Sequence, residues 1–283
     1  MLVYKGYDQA ALDRQYNNRL QVPEYATYLE RWEMLSRQTE KELPVIKNIP
    51  YGVLPREQLD IYPAQQPSSK TLIFIHGGYW HRFDKSTFQF IAKAFSNYDV
   101  TTVLINYPLA PEVSIDQISA SCRLAIQWLF QNIPAYNGDP AQLYIAGHSA
   151  GGHLSAMLLT TEWRHYNLAP DTIKGACVIS GLFNLIPIRL SDINKVLNME
   201  TETALRNSPV HLLPLSQCPL SIIVGSHETS EFLDQSNELY TSWKEIIPAE
   251  IIQAPGLNHY SIAETMLDPQ SCLDQAMRRM LKI

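Results

Sequence analysis

From Ile46 onward the chain alternates between two textures. Short apolar, often β-branched runs recur at residues 59–62, 71–75, 101–106, 143–146, 173–180, 220–224 and 250–253. Between them lie stretches with helical spacing of apolar residues, at 86–97, 114–132, 152–161 and 232–245. Runs this short read as buried strands. Strand–helix alternation predicts an α/β fold whose mostly parallel sheet carries helices on both faces. Residues 59–62 and 71–75 are joined by a short polar loop with no room for a crossover helix, so an antiparallel start is expected. Residues 1–45 read as helical and mixed in charge, with Tyr16, Tyr25, Tyr28 and Trp32 spread through them. Residues 181–215 break the alternation: they are rich in Leu and Ile and carry Pro187, Pro209 and Pro214. A helical excursion over the carboxyl edge of the sheet is expected there, forming a small cap with the N-terminal segment. No repeat or low-complexity tract appears, and 283 residues suit one α/β domain.

The strongest chemical signal is Gly147-His148-Ser149-Ala150-Gly151, a G-x-S-x-G between an apolar strand and a helix. Strand, tight turn and helix is the setting of a nucleophile elbow, which lifts a serine hydroxyl above the carboxyl end of a sheet. Side chains at the flanking glycines would crowd the neighbouring elements. A serine alcohol is a weak nucleophile at neutral pH and needs a base, and the base needs a group to orient it. In α/β-hydrolases the chain order is Ser, then Asp or Glu, then His. His259 follows the last strand, in the loop Gly256-Leu257-Asn258-His259-Tyr260. The acid belongs after the penultimate strand, where Glu228 stands at the expected offset; Glu231 and Asp234 compete, each also readable as a charge near a helix N-terminus. Oxyanion donors are expected from the Ala150 amide and from the loop His76-Gly77-Gly78-Tyr79-Trp80, whose paired glycines let main chain approach a substrate closely.

Composition narrows the class further. The net charge is −6 and the pI is near 5.7, with no long basic run, so nucleic acid is not an expected partner. Met1–Asn18 is polar throughout, without the apolar core of a signal peptide, and no apolar stretch reaches membrane-span length. A soluble cytoplasmic protein acting on a small molecule is expected, with no membrane partner and a homodimer left open. Cys122, Cys177, Cys218 and Cys272 are scattered and read as reduced thiols. His76, His81, His148 and His153 match no metal-ligand spacing, so no metal is expected; the absence of a phosphate loop predicts no nucleotide cofactor.

Taken together, these residues resemble the kynurenine formamidase (arylformamidase) branch of the α/β-hydrolases, close to the H-G-G esterases. The resemblance runs along most of the chain. It includes Gln15-Tyr16-Asn17-Asn18-Arg19, His76-Gly77-Gly78-Tyr79-Trp80 with Asp84-Lys85, Asn106-Tyr107, the elbow through Leu154, Pro187-Ile188-Arg189-Leu190, Glu231-Phe232 and Asn258-His259. It implies Ser149, Glu228 and His259 as a triad, and Gly77, Gly78, Tyr79 and Ala150 as oxyanion donors. It also implies an aromatic-accepting pocket from Tyr79, Trp80 and Phe183, and hydrolysis of N-formyl-L-kynurenine. Some relatives carry Asp where this chain has Glu228; the longer side chain demands a loop set farther back. The alternatives are a carboxylesterase for small acyl esters, an acyltransferase of a biosynthetic pathway and a non-catalytic binding protein. An intact Ser–acid–His set argues against the last.

Overall fold

The computed structural model describes residues 1–283. One sheet organises the chain, built from β1 (Ile46–Pro50), β2 (Gln58–Tyr62), β3 (Ser69–Ile75), β4 (Thr101–Ile105), β5 (Gly138–His148), β6 (Ile173–Ile179), β7 (Leu220–Gly225) and β8 (Ala249–Ala254). Their spatial order is β1-β2-β4-β3-β5-β6-β7-β8, parallel from β4 to β8. The longer helices are α1 (Gln9–Gln15), α2 (Tyr25–Glu42), α3 (Ile115–Asn132), α4 (Ala150–Leu159), α5 (Ser230–Trp243) and α6 (Cys272–Leu281).

The apolar runs lack polar alternation because the central strands are covered on both faces. Ile73, Ile75, Ile145, Val178 and Ile222 point into a core shared with α3, α4 and α5. Their neighbours Leu72, Phe74, Tyr144, Cys177 and Ile223 point the other way, toward α2, α6 and residues 90–95. Trp32 on α2 anchors that second core, 5.2 Å from the Phe88 ring and 6.1 Å from Phe90.

Three sequence expectations need correction. The start is antiparallel, but β2 pairs with β1 and β4 rather than with β3. The link from Tyr62 to Ser69 passes over β4, a step of about two strand spacings or ~10 Å that a short extended segment spans easily. Strand β1 was not foreseen: it is an exposed edge with a polar Ile-Lys-Asn-Ile-Pro sequence and so no buried run. The helix expected over residues 86–97 is broken into a 3₁₀ turn at Lys85–Phe88 and a helix at Phe90–Phe95. Ser36 causes the break: its Oγ donates to Thr87 O (2.9 Å) and accepts from Phe90 N (3.3 Å), replacing local helical bonds.

Residues between β6 and β7 form the short helices Ile186–Leu190, Asn194–Leu197 and Thr201–Arg206. They are tied to the N-terminal segment, since Gln9 Nε2 donates to Leu190 O (2.9 Å) and Asp192 N to Asp13 Oδ1 (2.7 Å). No helix is long and apolar enough to cross a membrane.

Candidate active site

Ser149 ends β5 and opens α4 with φ 58° and ψ −122°. A non-glycine residue there costs of order 1–3 kcal/mol, and such strain persists only where its surroundings impose it. They do: Ser149 N donates to Ile179 O (2.8 Å) and Ser149 O accepts from His153 N (3.1 Å). The flanking glycines are steric requirements. A Cβ on Gly147 would lie 2.2 Å from Gly151 O, and one on Gly151 would lie 1.9 Å from Ile75 O at the end of β3.

Three loops at the carboxyl ends of the strands bring the predicted residues together. His259 Nε2 lies 3.0 Å from Ser149 Oγ, and His259 Nδ1 lies 2.7 Å from Glu228 Oε2. A carboxylate only accepts, so Nδ1 carries the proton and Nε2 is free to accept from the serine hydroxyl. The other carboxylate oxygen, Glu228 Oε1, accepts from Gly225 N (2.8 Å) and Ser180 Oγ (2.5 Å). Both oxygens are thus used, and the longer side chain reaches His259 while its carboxylate stays anchored on the end of β7. All three residues are buried. Asn258 shapes the loop that presents the base, its Oδ1 accepting from Tyr260 N (2.9 Å) and Ser261 N (2.8 Å). His148 Nε2 donates to His259 O (2.9 Å); burial and the neighbouring His259 hold the His148 pKa well below its ordinary value, so the ring is neutral and its Nδ1 is bare.

The competing acids lie elsewhere. Asp234 is exposed on α5, 3.8 Å from Lys5 Nζ. Glu231 is buried, accepts from Tyr16 Oη (2.8 Å), and is raised above the usual carboxylate range by burial.

The His76–Trp80 loop folds against the elbow. A Cβ on Gly77 would meet His148 O at 2.9 Å and Ser149 Cβ at 3.0 Å, so only glycine brings main chain this close to Ser149. Gly78 has φ +111°. The amides of Gly77, Gly78, Tyr79 and Ala150 bond to no main-chain acceptor, which leaves them free as donors beside Ser149. His76 braces the loop: Nδ1 donates to Gly77 O (2.7 Å), its ring stacks on Tyr107 at 4.4 Å, and Tyr107 Oη donates to His76 O (2.9 Å). Burial lowers the His76 pKa to about 4, so it is neutral at pH 7. The Tyr79 hydroxyl is committed to Tyr16 O (2.7 Å), which leaves its amide and its ring edge for the site.

Two connected spaces lie above these groups. The inner one, about 40 Å³, touches Ser149, His259, Gly77, Gly78 and Trp32. The outer cleft, about 340 Å³, shares Asn18, Gly78, Tyr79, Phe83 and Tyr260 with it. Trp80 and Phe183 line neither, which corrects the expectation that they shape the pocket. Both are fully buried. Trp80 is turned away to donate to His153 Nδ1 (3.1 Å), and the Phe183 ring packs where a Gly181 side chain would stand. The four histidines do not converge: His76 and His153 each bond a different backbone carbonyl, and His81 sits at the cleft rim. Sequence reasoning missed Ser180, Asn18, Trp32, Phe83 and Tyr260. Asn18 and Tyr260 lie inside quoted segments and Ser180 ends a quoted strand run, but nothing in those segments marked them as site residues; Trp32 and Phe83 carried no local signal.

The BD-FAE family model matches residues 59–243. Kynurenine formamidase from Salmo salar is 33% identical over 83% of this chain and 81% of its own length. Kynurenine formamidase from Danio rerio is 31% identical over 83% and 82%. A crystal structure of a putative thioesterase from Silicibacter sp. tm1040 superposes with a TM-score of 0.83 at 29% identity, covering 93% of this chain and 97% of that one. With this fold, these matches and the serine–histidine–glutamate geometry, the chain belongs to the BD-FAE family of α/β-hydrolases and, with the kynurenine formamidases it matches along most of its length, is a hydrolase.

Proposed function

We propose that this hydrolase is a cytoplasmic arylformamidase that cleaves N-formyl-L-kynurenine to formate and kynurenine. The likeness to two kynurenine formamidases over more than four-fifths of the chain carries this reading. The inner space agrees with it: at about 40 Å³ it is much the smaller of the two spaces and the one that touches Ser149 and His259, as a small acyl group requires. Its four cysteines are free thiols, in keeping with a reducing compartment.

Ser149 Oγ attacks the formyl carbon while His259 Nε2 takes the hydroxyl proton, and Glu228 stabilises the imidazolium through Nδ1–H. The Gly78 and Ala150 amides hold the oxyanion, with Gly77 and Tyr79 amides alongside; each such donor is typically worth 10²–10³ in rate. His259 then protonates the aniline nitrogen, which leaves with its ring. Acid catalysis matters more here than for an activated ester, because an anilide anion is a poor leaving group. Water attacks the formyl-enzyme and gives its proton to His259, which returns a proton to Ser149 Oγ as the acyl bond breaks and formate leaves. Residues 1–45 and 181–215 act as the cap that closes the cleft of this single domain.

A series of N-acyl-kynurenines tests the reading. Formyl is expected to be turned over at least 100-fold faster in kcat/KM than acetyl, and butyryl not at all. Rates that stay level or rise from formyl to butyryl would make the protein a general esterase.

A further inference from the structure

We infer that Arg19 and Arg82 form a carboxylate-recognition site in the outer cleft, so that the enzyme selects substrates whose leaving group carries an anionic carboxylate remote from the scissile carbonyl. The inference rests on Ser149 being the proposed nucleophile and not on the acyl group being formyl.

The size of the two spaces sets the orientation. The inner one beside Ser149, about 40 Å³, is much the smaller and suits the acyl group, which leaves the outer cleft of about 340 Å³ for the leaving group. That cleft is lined by aromatic rings, Tyr79, Phe83 and Tyr260, and by three cationic or protonatable side chains, Arg19, His81 and Arg82. Six of the chain's twelve arginines form ion pairs, among them Arg31 with Glu264, Arg56 with Asp84, Arg206 with Asp116 and Arg279 with Glu250. Arg19 and Arg82 are exposed and neither appears in any ion pair. Arg19 is held in place by the Tyr25 ring, 4.9 Å from its guanidinium carbon, and Tyr25 lies 6.1 Å from Tyr260.

The two arginines line the same cleft, with His81 and Tyr260. The His81 pKa is pushed down first by burial and then by Arg82 and Arg19, which keeps His81 neutral at pH 7. The Tyr260 hydroxyl feels both as well, against the larger effect of burial. The cleft also contains Asp13 and Asp192, and both are occupied. Asp13 Oδ1 accepts from Asp192 N (2.7 Å) and Gln9 Nε2 (3.1 Å), and Asp192 pairs with Lys195 (2.7 Å). Neither acid is among the charges that act on His81 or Tyr260. With Asp192 paired to Lys195, the two arginines outweigh the charge that Asp13 keeps, so the cleft is net positive on a protein whose net charge is −6. Planar guanidinium groups beside aromatic walls suit an aryl group carrying a carboxylate, which they can bind in bidentate fashion.

The test uses two aryl acetates that need only acyl transfer at Ser149: 3-(2-acetoxyphenyl)propanoate and its primary amide. The wild-type enzyme is expected to prefer the acid by about tenfold in kcat/KM, through KM, and to lose that preference as ionic strength rises. In Arg19→Gln/Arg82→Gln the acid-to-amide ratio is expected to fall to about one, with an unchanged thermal midpoint. The double lysine variant should recover part of the ratio. No preference in the wild type, or a preference that survives the double glutamine variant, overturns the site. Failure of the formamidase reading would appear separately, as no turnover of N-formyl-L-kynurenine with the acid-to-amide ratio intact.

Discussion

Replacing Glu228 by Gln probes the proposed charge arrangement most sharply, because the surroundings dictate how the amide must sit. Glu228 Oε1 accepts two donors, Gly225 N (2.8 Å) and Ser180 Oγ (2.5 Å), whereas Oε2 faces only His259 Nδ1 (2.7 Å). A glutamine therefore keeps its carbonyl oxygen on the two-donor side, and its NH₂ faces the imidazole. Two donors cannot meet, so Nδ1 becomes the acceptor and the ring proton moves to Nε2. That tautomer cannot take the proton from Ser149 Oγ, 3.0 Å away. The analogous change in serine proteases costs ~10⁴ in kcat, or about 5 kcal/mol of barrier at 1.36 kcal/mol per decade. The packing is isosteric, so the fold is expected to survive. The assay is steady-state kinetics beside circular dichroism, with Asp234→Asn as control. Asp234 is exposed and lies 3.8 Å from Lys5, so its variant should keep full activity. A folded Glu228→Gln enzyme within tenfold of wild type, or loss of activity in Asp234→Asn, would refute Glu228 as the acid.

Three further outcomes follow from the geometry. Gly151→Ala places a Cβ 1.9 Å from Ile75 O and 2.7 Å from His76 O; overpacking there should cost about 1–3 kcal/mol and, by moving the oxyanion loop, about 100-fold in kcat. Calorimetry with kinetics checks both, and a stable, fully active variant contradicts the packing. Ser180→Ala removes one charge-assisted bond from Glu228; kcat should fall about tenfold with KM unchanged, roughly the rate equivalent of 1.5 kcal/mol, and a pure KM effect would contradict the orienting role. Stability should also depend on pH. Burial lowers His76 and His153 from 6.5 to about 4 in the folded state, so below 6.5 the unfolded chain binds protons that the folded chain does not. Their contribution is fully present above pH 6.5 and is lost as pH falls toward 4, at up to ~1.4 kcal/mol per pH unit for each. Urea midpoints at pH 7.5, 6 and 5 should fall in that order; a flat or rising series contradicts it.

The central sheet was readable because parallel strands buried on both faces leave continuous apolar runs, as in β3 and β6. Edge strand β1 was silent because a solvent-facing strand needs no apolar run. The order of β2 and β3 was misread because loop length limits crossover helices but says nothing about a skipped neighbour. That Ser149 and His259 lie together was legible because the elbow and the loop after the last strand are local features. Glu228 could be placed only by its offset from β7, and what distinguishes it from Asp234 is tertiary: two donors on one oxygen and the base on the other. Trp80 and Phe183 show the opposite limit. Aromatic residues near a site carry no sign of whether they face the cleft or the core, and both face the core. Part of the wall of the inner space comes from Asn18 and Trp32 in the N-terminal segment, more than a hundred residues before Ser149, where no periodicity points to it.

The most direct measurement is kcat/KM for N-formyl-L-kynurenine beside p-nitrophenyl acetate, with folded Ser149→Ala as the blank. A value for the formamide of ~10⁴ M⁻¹s⁻¹ or above, with equal release of formate and kynurenine and none from Ser149→Ala, is the expected result. Turnover of the activated ester alone would contradict the formamidase, and activity surviving in Ser149→Ala would contradict the serine mechanism itself.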